Sequence, residues 1–422
     1  MMELFLLKTF AFLRPLLSIH LEQKIAGIGV LDVAGIGLIA VLGVALSMRM
    51  AVSGQYVRFS SIDAWVVVYM LWCFVTSLIY PDKTDFRELV KWVAPYLTYL
   101  VAGKILHNRQ QYLQMLMLVL VGHVIPIVVS AVAIFFDMKF AIYATVGAHQ
   151  LTKYEGVYAN SANMSLSMTL FIVSGVVYAA VARSYLGETK KLKLWEVLSF
   201  ALVSLLALYC LFIGPSRTAQ LGLIIFFASY YYQVDKKKLL VAGAVLAVFV
   251  LIMSPFLKMQ YYDVIEAQQG ERPIEQMASG RPYFWAHNLS LFAKASPDRW
   301  IAGVGIGNLT ELGSFDRGDE SFWSSHNDLL AVLIHTGVVG MLIFVVLQVV
   351  ILKKILALEG PEKAAFLALF VATVAMNFGS NSFLSRFALA QLYFLLISYL
   401  ELNHRALGRS HSQQLREGGH HS

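Results

Sequence analysis

From Leu239 to Leu257 the chain runs 19 residues without a charge, about the length a helix needs to cross the hydrocarbon of a bilayer. A backbone inside lipid finds no water, so each segment must satisfy its own N–H and C=O groups, and helices do so one span at a time. Comparable apolar runs lie near residues 26–47, 62–79, 88–106, 112–136, 160–182, 194–213, 218–234, 327–352, 364–379 and 383–401. The segment 2–20 carries Lys8 and Arg14, and reads either as a further span with basic residues near the interface or as an amphipathic helix on the surface. The span is preferred. No cleavable signal peptide is expected, because the two basic residues break the first apolar run and no small-residue cleavage pattern follows. The expected fold is an all-α polytopic membrane protein of about twelve transmembrane helices with one large loop outside the cytoplasm. It divides into N-terminal membrane helices (1–257), the large loop (258–325), C-terminal membrane helices (326–402) and a short cytoplasmic tail (403–422).

Composition agrees, with 58% hydrophobic and 14% charged residues. Both cysteines, Cys73 and Cys210, fall inside apolar runs and read as small buried hydrophobes, so neither a disulfide framework nor a cysteine metal site is available. Basic residues gather on alternate loops: Arg183 with Lys190, Lys191 and Lys193; Lys236 to Lys238; Lys353, Lys354 and Lys363; and Arg405, Arg409 and Arg416 in the tail. Positive charge marks the cytoplasmic side. The loops near 80–88, 137–159, 214–217, 258–325 and 380–382 then share the opposite side. Charge balance supports this, since the large loop holds 6 Lys/Arg against 9 Asp/Glu while the rest of the chain holds 27 against 17. The basic surplus is thus topological, suited to an anionic leaflet rather than to nucleic acid.

Basic residues on the outer side are therefore informative. Arg217, in Gly214-Pro215-Ser216-Arg217, opens a span at a tight outer turn. It reads either as an arginine snorkelling to headgroups or as a guanidinium beside a helix N-terminus, both favouring an anion. Arg281, in Ser279-Gly280-Arg281-Pro282, precedes the aromatic run Tyr283-Phe284-Trp285 of an interfacial helix that the proline can start. A loop ion pair is its alternative. His326, in Ser325-His326-Asn327-Asp328, stands at the start of a span; an unperturbed pKa of about 6.5 would let it accept a proton near neutrality. A structural histidine is the competing account. His335, nine residues on, turns to the opposite helix face about 13 Å deeper and reads as packing. The run Gly303-Val304-Gly305-Ile306-Gly307 follows no βαβ strand and reads as a tight turn, and His123 as a buried polar contact. No Walker, HExxH or Asp-x-Asp pattern is present, so no metal site or nucleotide cofactor is expected.

These elements resemble a family. Ser216-Arg217-x-x-x-Leu221, Ser279-Gly280-Arg281 and His326-Asn327 followed by nine residues, Gly337 and Gly340 are similar to the signature of bacterial O-antigen ligases, which share a superfamily with O-antigen polymerases and protein O-oligosaccharyltransferases. The likeness spans about residues 150 to 380, with the His-Asn-x9-Gly-x-x-Gly spacing its most specific part. Gly156-x-Tyr158-x-Asn160-x-x-Asn163 also resembles a segment of the superfamily, with Lys153 where relatives often carry an arginine. The resemblance implies a glycosyltransferase-C-like fold in a Gram-negative inner membrane, with short helices in a periplasmic loop and a periplasmic site. It implies transfer of O-antigen polysaccharide from undecaprenyl diphosphate to a lipid A-core hydroxyl, with inversion and without metal or cofactor. Arg217, Arg281 and Lys153 would hold the donor diphosphate, His326 would act as base, and Asn327, Asn160 and Arg386 would support them. A polymerase would use the same donor but show two comparable arginine-bearing loops; a protein O-oligosaccharyltransferase would carry a longer C-terminal extension; a lipid-linked glycan transporter would line a central cavity with charge.

Overall fold

The structure is a computed structural model that describes residues 2–19, 24–25, 28–53, 59–81, 84–138, 142–146, 151–158, 160–186, 194–214, 216–238, 240, 243, 277–307, 326–380 and 386–403. The described chain is nearly all helical. In order, its helices are α1 (Met2–Leu16), α2 (Val30–Ser53), α3 (Ser61–Ile79), α4 (Phe86–Ile105), α5 (Arg109–Phe135), α6 (Ser161–Leu186), α7 (Leu194–Ile213), α8 (Arg217–Val234), α9 (Met277–Ala293), α10 (Pro297–Ala302), α11 (Asp328–Leu356), α12 (Gly360–Gly379) and α13 (Phe387–Ile397). Two antiparallel hairpins, β1 (Lys24–Ile25) with β2 (Ile28–Gly29) and β3 (Ile142–Val146) with β4 (Leu151–Tyr154), join them.

Among the described residues, α3, α5, α6, α7, α11 and α12 are long and apolar enough to cross a membrane, and Val33–Arg49 and Ala388–Asn403 are shorter apolar helices. That is fewer than the twelve spans expected, for local reasons. Helix α4 carries Arg87, Glu88, Lys91 and Lys104, and α8 ends in Tyr230-Tyr231-Tyr232-Gln233. The expected span 239–257, apart from residues 240 and 243, lies outside the described residues. So do 258–276 and 308–325 of the large loop, Lys190, Lys191 and Lys193, and the tail from 404 onward. Helix α1 has 15 residues and packs on α5 and α2, with Leu7, Phe10 and Ala11 wholly buried, which fits a bundle helix better than one lying on a surface. Arg14 does not snorkel: it is 0% exposed. Lys8 donates to Gln114 Oε1 of α5 at 2.7 Å.

Polar caps set the helix starts. Ser60 and Asp63 form a reciprocal capping box on α3, Asn108 Oδ1 accepts from Gln111 N on α5 at 2.9 Å, and Asn327 Oδ1 accepts from Leu330 N on α11 at 3.0 Å. Up-and-down connectivity then puts alternate helix ends together. At one end, Asp85 N donates to the Ile306 carbonyl at 2.9 Å and Tyr80 Oη to Asp298 at 2.9 Å, tying the α3–α4 loop to the segment after α9. At the other end, Lys104 of α4 pairs with Asp63 of α3 and lies 3.6 Å from Glu401, whose other oxygen accepts from Tyr99 Oη at 3.2 Å; Arg109 meets Glu362 at 3.6 Å.

Helix α11 is not continuous. Gly337 adopts φ 67° and ψ −173°, a conformation open essentially to glycine alone, and a Cβ there would lie 2.3 Å from the Ile301 carbonyl oxygen. The break admits the backbone of the turn after α10, where Gly303 (φ 82°) abuts Gly337 N and Val304 N donates to the Ile334 carbonyl at 2.9 Å. His335 Nδ1 meets the Gly305 carbonyl at 2.7 Å and its ring stands edge-on to Trp92, a packing arrangement. His123 is likewise fully buried, with Nδ1 at 2.8 Å from the Val119 carbonyl, and Cys73 and Cys210 are both buried thiols.

Candidate active site

The end of the bundle that carries the outer-loop candidates is assembled from helix termini. Gly214 and Ser216 turn the chain between α7 and α8, so that Arg217 stands half-buried at the first position of α8, where unpaired N–H groups and the helix dipole favour negative charge. The next residue, Thr218, donates through Oγ1 to the Gly379 carbonyl at the end of α12 (3.3 Å). Arg281 of α9 donates to the same carbonyl and to Thr218 Oγ1 (3.3 Å). One guanidinium thereby joins α9, the start of α8 and the last turn of α12, whose final carbonyls lack helical partners. Trp285 packs edge-on against Phe378 at 5.7 Å and seats α9 on α12. The helix begins at Met277, earlier than the proline start expected at Pro282, because a proline's fixed φ is already helical and costs the upstream turn one hydrogen bond.

His326 sits in the left-handed region at φ 45°, one of two described non-glycine residues with positive φ. Such a conformation costs free energy and recurs at functional positions. The imidazole is half-buried, with its ring 6.4 Å from that of Phe284 on α9. Burial first, and then the charges of Arg281 and Arg386, push its pKa down to about 4. The expected ordinary histidine pKa is therefore corrected: two guanidiniums and a partly apolar site disfavour the imidazolium. The ring is neutral across the physiological range.

Arg386, at the N-cap of α13, donates from Nε to Asn163 Oδ1 of α6 at 2.5 Å. Asn163 is fixed in turn, since Asn160 Oδ1 accepts from its backbone N at 2.8 Å. Burial pulls the Arg386 pKa to about 10, the Asp328 carboxylate opposing and Arg281 reinforcing that fall. Asp328 is 2% exposed in the first turn of α11, where the helix dipole favours a carboxylate. Arg281 and Arg386 oppose each other's charge, and both disfavour the imidazolium of His326.

His326, Arg281 and Arg386 form one neighbourhood; Asn327 caps the helix that follows His326, Asn160 orders the residue that holds Arg386, and Arg217 adjoins the threonine that holds Arg281. Lys153 lies in β4 opposite Ala144, and its side chain is outside the described part of the structure. Among the described residues no group of three or more His, Cys, Asp or Glu is placed to hold a metal ion. Thr218, Asn163 and Asp328 are partners that sequence reasoning did not assign. Asp328 carried the one usable signal, a carboxylate two residues after the histidine at the edge of a span. Chemically, the arrangement offers guanidiniums for an oxyanion beside a neutral imidazole.

Residues 201–345 match the family model described as O-antigen ligase, an interval that contains Arg217, Arg281, His326 and Gly337. No curated protein matches the chain.

Proposed function

Membership of the O-antigen ligase/polymerase superfamily, which that match supports, is the premise from which we propose that the protein transfers a polysaccharide from undecaprenyl diphosphate to a hydroxyl of lipid A-core. The observation that carries this reading is the setting of His326, a neutral imidazole beside Arg281 and Arg386 at helix termini. In the reaction the acceptor oxygen attacks the anomeric carbon from the face opposite the leaving group. The bond between that carbon and the phosphate oxygen breaks, its electron pair departs with undecaprenyl diphosphate, and the acceptor proton passes to His326. Inversion follows from a single displacement. Charge growing on the diphosphate is met by Arg217 and Arg281, whose planar forks suit phosphate oxygens; Lys153 would add a cation from β4. On this reading the site end of the bundle is periplasmic and the membrane is a Gram-negative inner membrane.

The test is purified protein in liposomes with lipid-linked glycan and, separately, truncated lipid A-core or a second lipid-linked glycan as acceptor. A ladder on lipid A-core is expected, undiminished by excess EDTA. Extension of the lipid-linked chain instead would make the protein a polymerase, and inhibition by EDTA reversed by magnesium would remove the proposed division of labour.

A further inference from the structure

Arg217 and Arg281 stand on different helices, α8 and α9, so a diphosphate held by both depends on how those helices are set against each other. Thr218 is where the two meet. It follows Arg217 in the first turn of α8 and is 8% exposed. Its hydroxyl donates to the Gly379 carbonyl of α12 at 3.3 Å and accepts from Arg281 Nη1 at 3.3 Å, serving as donor and acceptor at once. Arg281 Nη1 also donates to the same Gly379 carbonyl, which closes a triangle of contacts between α8, α9 and α12. A guanidinium is planar, and one nitrogen held against acceptors on two helices fixes the direction of that plane. The first turn of α8 is itself tethered. Thr169 of α6 donates to the Ala219 carbonyl at 3.3 Å and Gln220 Nε2 to the Leu211 carbonyl of α7 at 3.4 Å, while Thr218 reaches across to α12.

We propose that Thr218 is a positioning residue for the transfer reaction: its hydroxyl sets the separation and orientation of Arg217, its chain neighbour, and Arg281, its hydrogen-bond partner, so that both forks meet one diphosphate. The inference rests on the donor reading given above. It differs from a threonine that only joins α8 to α12, which would contribute to stability and leave donor affinity to the arginines alone. Threonine suits the task because its hydroxyl is short and its branched Cβ restricts χ1, so the oxygen has few alternative places. Such preorganisation appears as affinity, since the guanidinium is ordered on folding rather than on binding.

The experiment uses the full chain in liposomes, with undecaprenyl diphosphate, the leaving product, as the probe. Its inhibition constant, the KM for donor and for acceptor, and the unfolding temperature are measured for wild type, Thr218→Ser, Thr218→Val, Arg281→Lys and the double variant Thr218→Val with Arg281→Lys. Thr218→Val keeps the shape without the hydroxyl. It is expected to weaken inhibition and raise donor KM by about tenfold, the scale of one hydrogen bond to a charged group, with acceptor KM unchanged. Thr218→Ser keeps the hydroxyl and should restore most of the affinity. In the double variant the fold-loss should fall short of the product of the two single losses, because the threonine acts through the arginine fork. Thr218→Ala decides if the valine variant does not fold, and failure of both to fold would assign the hydroxyl to structure and overturn the proposal. So would a folded valine variant with wild-type inhibition constant and donor KM, serine and valine variants impaired alike, or independent losses in the double variant; each leaves the donor reading standing. A wild type that undecaprenyl diphosphate does not inhibit would sink both.

Discussion

The proposed general base must be unprotonated when the acceptor arrives, and the surroundings of His326 favour that at a cost in basicity. With its pKa held at about 4, activity is lost only as pH falls through that value, so kcat/KM for the donor should be flat from neutrality to about pH 5 and decline below it. A bound diphosphate offsets the guanidiniums that depress the imidazole, so the acid limb of kcat should lie at higher pH than that of kcat/KM. Parallel profiles with a limb near pH 6.5 would show that His326 is not the titrating base. His326→Ala should reduce transfer by about 10²- to 10⁴-fold with undecaprenyl diphosphate binding retained. A folded variant with near-normal transfer would assign the histidine to packing.

At the scale of elements, the break in α11 links the site to its scaffold. Gly337 lets the backbone of residues 301–303 approach the helix, and Trp72 Nε1 donates to the Thr336 carbonyl at 2.8 Å beside the break. Gly337→Ala must place a methyl group against the Ile301 carbonyl and hold a backbone that an L side chain resists. A loss of about 1–3 kcal/mol is expected, read as a lower unfolding temperature in detergent, with transfer falling as the start of α11 shifts. An alanine variant as stable as wild type would show that the helix can straighten freely. The spacing from His326 to Gly337 and Gly340 was legible in the sequence, but its reason was not. A glycine pair in a span reads equally as close helix packing, and the segment that fills the notch, residues 301–303, is far from Gly337 along the chain.

For the molecule as a whole, alternation of helix direction gathers the α3–α4 loop, the starts of α6, α8, α11 and α13, the end of α12 and helices α9 and α10 at one end. The buried pairs of Lys104 with Asp63 and Glu401, and of Arg109 with Glu362, lie at the other. On the proposed reading the basic loops put the second end in the cytoplasm. Ser290 and Ser184 are both exposed, and in a background with Cys73 and Cys210 replaced, cysteine at Ser290 should react with an impermeant thiol reagent in outer-permeabilised cells while cysteine at Ser184 should not. The opposite pattern would invert the protein and with it the periplasmic chemistry.

Helical class and most element positions follow from local pattern, apolar length against bilayer thickness, while Arg217, Arg281, His326 and the sidedness were legible as candidates, from basic residues in alternate loops and short motifs beside span edges. The tertiary structure decided what depends on approach between distant segments. It put Arg386 against Asn163 across 223 residues, hung Arg281 on the last carbonyl of α12, and buried Arg14 where a surface helix would have left it wet. A pKa belongs to the same class, because desolvation and neighbouring charge are properties of a site in space, and no spacing along the chain reports how near two guanidiniums come to one imidazole.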